Sequence, residues 1–430
     1  MKLKKIILTS LSFIIILTIG ISIGYYLNQS QIKSTTTNTD PNQKYISFVF
    51  EVYDVIKDNH WQKMEEADLN QLFLLAIQQI TGLKDIQTVK DRTELQKYLS
   101  TTLSQYQQDS QKKEFSATLS DVVLSNLSPF NRSRLYTKKE QDNLSNTVAN
   151  INPEVDQYQI LGVNKDASIE EIENSYQQKV DKLDPIKDVD EIKKLETAKN
   201  TLADVFSKSL YDTHGIEPSV VTKILGTDTL YLRIDKFTHT TFEEMVNKLD
   251  QIYKQQKLTN LVLDLRDNIG GNIDSLPYFL GPFIGPDQYA YQFFHQGEKT
   301  DFKTKTGWID SLVPYKKVIV LINQNSQSTA ELMASVLKKY NVGILVGTPT
   351  KGWGTVEKIF PLQNKIDESE THSVFLVHSL TLREDGQPIE ENKVIPMVDT
   401  SQKNWPNELF GYYSDQNLVD LVSQILNPKP

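Results

Sequence analysis

The sequence predicts an α/β (α+β) core in the second half of the chain, preceded by all-α domains and an N-terminal transmembrane helix. From about Val220 onward, short β-branched runs alternate with helical stretches, which is the pattern of an α/β domain. From Tyr45 to about Gly82, apolar residues recur at helical spacing. Between Ile6 and about Leu27 the chain carries no charged residue, and this run is long enough to cross a bilayer.

These signals divide the chain into six segments. The predicted segments are a cytoplasmic N-terminus (1–5), a transmembrane anchor (6–27), a flexible Ser/Thr/Asn-rich stalk (28–44), a helical domain (45–150), a second small helical domain (155–215) and the α/β core (216–428).

The N-terminal lysines set the expected orientation. Lys2, Lys4 and Lys5 precede the apolar run, so the positive-inside rule places the N-terminus in the cytoplasm. We therefore expect a single-pass protein of the cell membrane, with the bulk of the chain extracytoplasmic and the lipid bilayer as a partner. A cleaved signal peptide is the alternative, because Ser22 and Gly24 form a weak small-x-small site.

Composition excludes several classes of function. The net charge of −9 and the pI near 5.4 give no electrostatic footprint for nucleic acid. The absence of cysteine excludes disulfides, thiolate metal sites and cysteine nucleophiles. The six histidines are scattered without metal-ligand spacing. We expect neither a metal nor a cofactor.

Four segments of the core carry a family pattern, and they cover about residues 220–400. The segments are TLYLRIDKF, LVLDLRDNIGGNIDSL, VIVLINQNSQSTAEL and LREDGQPIEENKVIPMV. Together they resemble the C-terminal processing (tail-specific) serine peptidases. The resemblance implies a peptidase core of the ClpP/crotonase-like type, a Ser–Lys catalytic pair and binding of unstructured or C-terminal peptide segments. The helical pattern of residues 45–150 is similar to the region before the ligand-binding domain of these peptidases.

The family register places an alanine at the attacking position. Aligning Asn323, Ser326, Ser328 and Glu331 with the nucleophile loop puts Ala330 where the family has its serine. A methyl group cannot attack a carbonyl. The resemblance therefore implies that the nucleophile is missing.

The base is missing in the same register. The segment GTPTKGWGTVEKIFPL resembles the family's lysine loop, with Thr350, Gly352 and Gly354 in matching places. Trp353 then occupies the lysine position, and Glu357 replaces the supporting glutamine. An indole offers an N–H donor and no basic nitrogen near neutral pH.

The same resemblance implies that the oxyanion hole is retained. The resemblance implies that Gly270 or Gly271 supplies one backbone amide and that Glu331 supplies the other. A Gly-Gly turn after a strand also allows the backbone to approach a ligand closely, and it can equally be a structural turn.

Two functions stay open at this point. The first is an inactive pseudoprotease that binds peptide tails, or serves as scaffold or regulator for an active peptidase relative. The second is an active serine endopeptidase with a displaced pair, in which Ser328 or Thr329 attacks and Lys351 is the base.

The second helical domain resembles a DnaJ-type J domain. The matching pieces are DQYQILGVNKDASIEEIENSYQQKV and LYDTHG, and Ser168 with Glu171 predicts a capping box at the start of a helix. The functional His-Pro-Asp loop of J domains is replaced by Asp184-Pro185-Ile186. The resemblance therefore implies a reused helical module and no Hsp70 partner.

Overall fold

The computed structural model describes residues 40–83, 89–383 and 385–427. The predicted anchor (6–27) and the cytoplasmic N-terminus (1–5) lie outside the described residues. Within those residues, no helix is both long and apolar enough to cross a membrane. Contacts divide the chain into two units, Met1–Gln43 and Lys44–Pro430, so the domains predicted from residue 45 onward fall in one unit.

The first part of the larger unit is helical, as the spacing of its apolar residues predicts. Its elements are α1 (Gln43–Asn59), α2 (Glu66–Thr81), α3 (Arg92–Leu103), α4 (Asp109–Ser125), the short strand β1 (Arg134–Thr137) and α5 (Lys138–Ala149). Their buried side chains, among them Phe48, Tyr53, Phe73 and Leu119, form one apolar cluster. Val374 belongs to the same cluster, which ties the helices to a sheet of the core.

Four helices follow and enclose a small core of their own. They are α6 (Gln157–Leu161), α7 (Ile169–Val180), α8 (Val189–Leu202) and α9 (Val205–His214). Tyr158, Ile172 and Leu195 are buried in that core. The predicted capping box is confirmed, because Ser168 and Glu171 cap the start of α7 reciprocally.

The α/β core is built on a six-stranded sheet. Its strands are β2 (Val220–Leu225), β3 (Thr229–Ile234), β4 (Asn260–Asp264), β7 (Lys317–Ile322), β8 (Ile344–Gly347) and β11 (Val398–Asp399). The spatial order is β11-β8-β7-β4-β3-β2, and all neighbours are parallel except the β2–β3 pair. The helices of this part are α10 (Thr241–Gln255), α11 (Leu276–Ile284), α12 (Thr329–Lys339), α13 (Trp405–Tyr413) and α14 (Gln416–Leu426).

A second sheet in the described part of the chain is antiparallel, and most of its strands lie in sequence between strands of the first sheet. It contains β1, β5 (Tyr289–His295), β6 (Glu298–Lys303), β9 (Thr355–Pro361) and the long strand β10 (His372–Leu382). β10 pairs with β9, β1 and β5, and its register shifts between Val377 and Ser379. A bulge of this kind redirects the side chains next to it, here those of His378 and Ser379.

Candidate active site

Two loops meet where β4 and β7 end. These strands are parallel neighbours, with Asp264 opposite Leu321, so the loops that follow them leave the sheet at the same edge. Asn323 Nδ2 donates a hydrogen bond to Asp267 Oδ1 at 2.9 Å, and Ser326 Oγ donates to the Leu265 carbonyl at 2.8 Å. The asparagine and serine of the family pattern therefore fasten the loop after β7 to the loop after β4.

The Gly-Gly turn is a place where no side chain fits. Gly270 has φ +87°, and a Cβ there would lie 2.7 Å from the Cβ of Ser328. Gly271 has φ +132°, and a Cβ there would lie 2.1 Å from the Phe237 carbonyl oxygen. Glycine is required at both positions because two backbones and the Ser328 turn converge here.

Ser328 occupies a strained turn between β7 and α12. Its φ of 56° and ψ of −123° are rare for a residue with a side chain. Its N–H donates to Glu331 Oε2 at 2.9 Å and to the Trp353 carbonyl at 3.1 Å, which holds the strained conformation. Ser328 lines a large groove. A sharp strand-to-helix turn that presents a serine is the arrangement hydrolases use for a nucleophile.

Ala330 lies elsewhere, in the apolar core. It is fully buried and belongs to the main apolar cluster of the α/β core. Because α12 begins at Thr329, residue 330 sits in the first helical turn and faces inward. In the structure, the residue of this loop that faces the groove is therefore Ser328, and not Ala330, which the family register places at the attacking position.

Two backbone amides beside Ser328 lack a hydrogen-bond acceptor in the described structure. The N–H groups of Gly271 and Thr329 have no acceptor within the described part of the chain. Thr329 Oγ1 donates to the Gly271 carbonyl at 3.2 Å, so the two residues are in contact. By contrast, Gly270 N–H donates to Asn268 Oδ1 at 2.8 Å and Glu331 N–H donates to the Ser328 carbonyl at 2.9 Å. The amides left for an oxyanion hole are therefore those of Gly271, which lines the groove, and Thr329, which is fully buried, and the amide of Glu331 is not part of it.

The side chain of Glu331 has a structural role, because its carboxylate accepts hydrogen bonds from two loops. The buried carboxylate accepts hydrogen bonds from Thr350 Oγ1 (2.5 Å), Gly352 N (2.7 Å) and Trp353 N (2.8 Å), in addition to Ser328 N. Burial raises the pKa of Glu331, and these donors oppose the rise by favouring the ionised form. Glu331 thus joins the serine turn to the loop that carries Trp353.

Trp353 is covered by an arginine from the helical part of the chain. The Arg132 guanidinium carbon lies 3.4 Å from the centroid of the Trp353 ring, a cation–π contact. Arg132 Nη2 also donates to Glu390 Oε1 at 2.9 Å, and Glu390 Oε2 accepts from Gly354 N at 2.7 Å. Glu357 follows on β9, where Thr355 Oγ1 donates to it at 2.5 Å and burial raises the pKa of Glu357.

Lys351 is separated from the serine. It is exposed and does not line the groove that the described residues form. Its Nζ lies 5.1 Å from the centroid of the Trp353 ring, and no hydrogen bond joins it to Ser328 Oγ in the described structure. Thr329, the other displaced candidate, is fully buried and uses its hydroxyl on Gly271.

Residues 228–400 match the family description Peptidase family S41. The chain is an S41 peptidase homologue over this segment. It is 29% identical over 189 residues to the carboxy-terminal-processing protease of Bartonella bacilliformis, covering 43% of this chain and 41% of that protein. It is 30% identical over 145 residues to the carboxy-terminal processing protease CtpB of Bacillus subtilis, covering 33% of this chain and 28% of that protein. The matches therefore span less than half of these relatives.

A looser likeness exists to a solved structure, that of the photosystem II D1 C-terminal processing protease. It has a TM-score of 0.47 at 14% identity, covering 85% of this chain and 93% of that one.

The groove of this S41 homologue has a volume of about 1030 Å³. Its walls come from the antiparallel sheet, from α5 and from the loops that follow β3, β4 and β7. The apolar side chains that line it are Leu144, Val148, Ile269, Ile273, Phe293, Phe302, Val356, Ile359 and Phe375. A large apolar cleft with a few convergent polar groups is the usual form of a binding site.

Two histidines stack in the groove wall. The rings of His295 and His378 are 4.1 Å apart and nearly parallel, and Lys358 Nζ lies 3.2 Å from His378 Nε2. Burial, with the Lys358 charge and His295 beside it, lowers the pKa of His378 to about 4. Sequence reasoning did not single out Arg132 or this histidine pair. Neither stands in a motif, and only the fold brings them to the groove.

Proposed function

We propose that this S41 homologue is a membrane-anchored, extracytoplasmic protein that binds extended peptide segments in its groove and does not hydrolyse them efficiently. The observation that carries the proposal is the Arg132–Trp353 stack beside the Ser328 turn. It fills the place where the family resemblance expects a lysine.

The chemistry of the site supports inactivity. A serine hydroxyl attacks only when a neighbouring base accepts its proton, and neither an indole nor a guanidinium is a base at neutral pH. The base proposed for a displaced pair, Lys351, lies outside the groove. A serine turn with its amide pair but no base would retain, at most, the roughly 10³–10⁴-fold acceleration of an oxyanion hole alone.

The groove suits an extended peptide. Within the described residues β9 pairs only with β10, so its other edge has free backbone groups. Val356 and Ile359 of this strand line the groove. A peptide added to this edge would gain main-chain hydrogen bonds, and the apolar wall would select its side chains.

A second candidate is a slow serine peptidase that uses Ser328. The strained serine turn and the unpaired amides of Gly271 and Thr329 favour it, because this geometry stabilises a tetrahedral oxyanion. In this case the nucleophile would be Ser328 rather than Thr329, whose hydroxyl is engaged.

The remaining parts of the chain complete the proposal. Residues 6–27 anchor the protein in the lipid bilayer with the N-terminus in the cytoplasm. The J-like helices of residues 155–215 form a docking module, and the loop Asp184-Pro185-Ile186 gives it no Hsp70 partner. An active peptidase relative is the protein partner we propose.

Peptide binding to the full chain tests the proposal. Ile269 and Ile224 are similarly exposed, at 45% and 44%, but only Ile269 lines the groove. We expect a fluorescein-labelled, apolar decapeptide to bind, Ile269→Asp to weaken binding at least tenfold, and Ile224→Asp to leave it unchanged. Equal affinities for the two variants, or no binding to the unmodified protein, would refute groove binding.

A further inference from the structure

We infer that Lys236 binds a carboxylate of the peptide held in the groove. The carboxylate is that of the peptide's C-terminus or of an acidic side chain. This inference rests on the proposed function and adds a specificity determinant to it.

The backbone of Lys236 is fixed beside the Gly-Gly turn. The next residue, Phe237, donates its N–H to the Gly270 carbonyl at 2.9 Å and accepts from Asn272 N–H at 2.7 Å. Lys236 itself lines the groove together with Gly270 and Gly271. A peptide whose carbonyl reaches the amides of this turn therefore passes close to Lys236.

The ammonium group of Lys236 is held by neutral acceptors. Nζ donates to the Thr147 carbonyl at 2.7 Å and to Asn150 Oδ1 at 3.2 Å, at the C-terminal end of α5. An ammonium group has three protons, so one remains for a ligand. No carboxylate lies within ion-pair distance of Lys236 in the described residues.

The other positively charged side chains of the groove wall differ from Lys236. Arg132 is paired with Glu390, and Arg134 with Asp121. Lys358 is exposed and contacts His378. Lys236 is thus the half-buried cation of the described groove whose charge no carboxylate balances.

Two neighbouring acids are already engaged. Glu217 accepts from Gln157 Nε2, and Asp235 accepts from Arg233 Nε. Burial lowers the pKa of Lys236, and these two carboxylates only partly offset that effect. An anion arriving from the groove would supply the missing counter-charge, and desolvation would strengthen the contact.

Space for the anion exists beside the lysine. Lys236 also lines a second cavity of about 410 Å³, with a polar wall. Its amide side chains are Asn143, Asn146, Asn150 and Asn152, and its acidic side chains are Glu154 and Glu217. Asn150 Nδ2 already donates to the Glu217 and Pro218 carbonyls, so the amide N–H groups that can donate to the second oxygen of a carboxylate are those of Asn143, Asn146 and Asn152.

Matched peptides test the inference on the full chain. The probes are a fluorescein-labelled decapeptide of alanine, valine and serine with a free C-terminus, the same peptide amidated, and the amidated peptide with one glutamate near its end. The variants are Lys236→Met, Lys236→Arg as the charge-conserving form, and Lys358→Met as the control that removes another groove lysine.

We expect the unmodified protein to prefer the free-acid or the glutamate peptide over the neutral amide by about tenfold. The acid that is preferred identifies the source of the carboxylate. Lys236→Met should abolish the preference, while Lys236→Arg and Lys358→Met should retain it.

Equal affinity of the unmodified protein for acid and amide peptides would overturn the inference. A preference for acid peptides that survives Lys236→Met would overturn it as well. Neither result would contradict the proposed function. Failure of all three peptides to bind would overturn the proposed function, and the inference with it.

Discussion

The close approach of the Gly-Gly turn to the serine turn can be tested by adding one methyl group. In Gly270→Ala the new Cβ would lie 2.7 Å from Ser328 Cβ and 3.0 Å from the Gln327 carbonyl oxygen. Gly297 supplies a matched control, because its φ of +93° is close to the +87° of Gly270 but nothing lies within 4 Å of a Cβ built there.

The two substitutions separate two costs. Gly297→Ala costs only the strain of a side chain at positive φ, about 1–2 kcal/mol. Gly270→Ala pays a similar cost and adds overpacking against the backbone and Ser328, about 1–3 kcal/mol more. We therefore expect losses in the free energy of unfolding of about 1–2 kcal/mol for the control and about 2–5 kcal/mol for Gly270→Ala.

Denaturant unfolding of both variants measures the difference, and peptide binding supplies a second readout. Gly270→Ala should lose peptide affinity, because the methyl group displaces the Ser328 turn and the neighbouring Gly271 amide. Gly297→Ala should bind as the unmodified protein does. Equal destabilisation by the two alanines would refute the contact between the turns.

Three further substitutions follow from the site. Ala330→Ser should give no hydrolysis and should lower the free energy of unfolding by about 1–3 kcal/mol, since a hydroxyl would enter an apolar core; new peptidase activity would contradict this placement. Arg132→Ala should cost about 3–5 kcal/mol by leaving buried Glu390 unpaired, and near-neutral stability in chemical denaturation would count against the pair. His378 has a pKa of about 4 in the fold against 6.5 ordinarily, so the folded state binds fewer protons between these values. The contribution of His378 to stability should therefore fall as pH decreases from about 6.5 to about 4, by about 1–2 kcal/mol because the ring is partly exposed. His378→Gln should reduce the slope of pH-dependent unfolding by this amount, while His60 and His372, whose pKa values burial also lowers, keep the remainder.

Local sequence patterns were sufficient to predict the strands, helices and glycine turn that surround the site. β-branched runs and helical stretches predict the strands and helices of the core, and the motif LVLDLRDNIGG marks the turn at Gly270 and Gly271. Asn323 and Ser326 also have a physical reason to be in the pattern, since each bonds the loop after β4.

The direction of individual side chains was harder to predict. Whether residue 328 or 330 faces the groove depends on where α12 begins and on a positive φ at Ser328, and neither is visible in a motif. The contact of Arg132 with Trp353 joins distant parts of the chain through tertiary packing. The N–H groups of Gly271 and Thr329 lack an acceptor in the described structure because of the hydrogen bonds that neighbouring residues make, which a motif does not show.

The most direct test of the central claim is to measure cleavage of a peptide that is known to be bound. The unmodified full chain and Ser328→Ala would be saturated with the same labelled decapeptide, as judged by anisotropy, and the products followed by mass spectrometry. We predict tight occupancy in both samples and no cleavage by the unmodified protein above that of Ser328→Ala. Multiple turnovers by the unmodified protein that disappear in Ser328→Ala would contradict the account and identify an active peptidase.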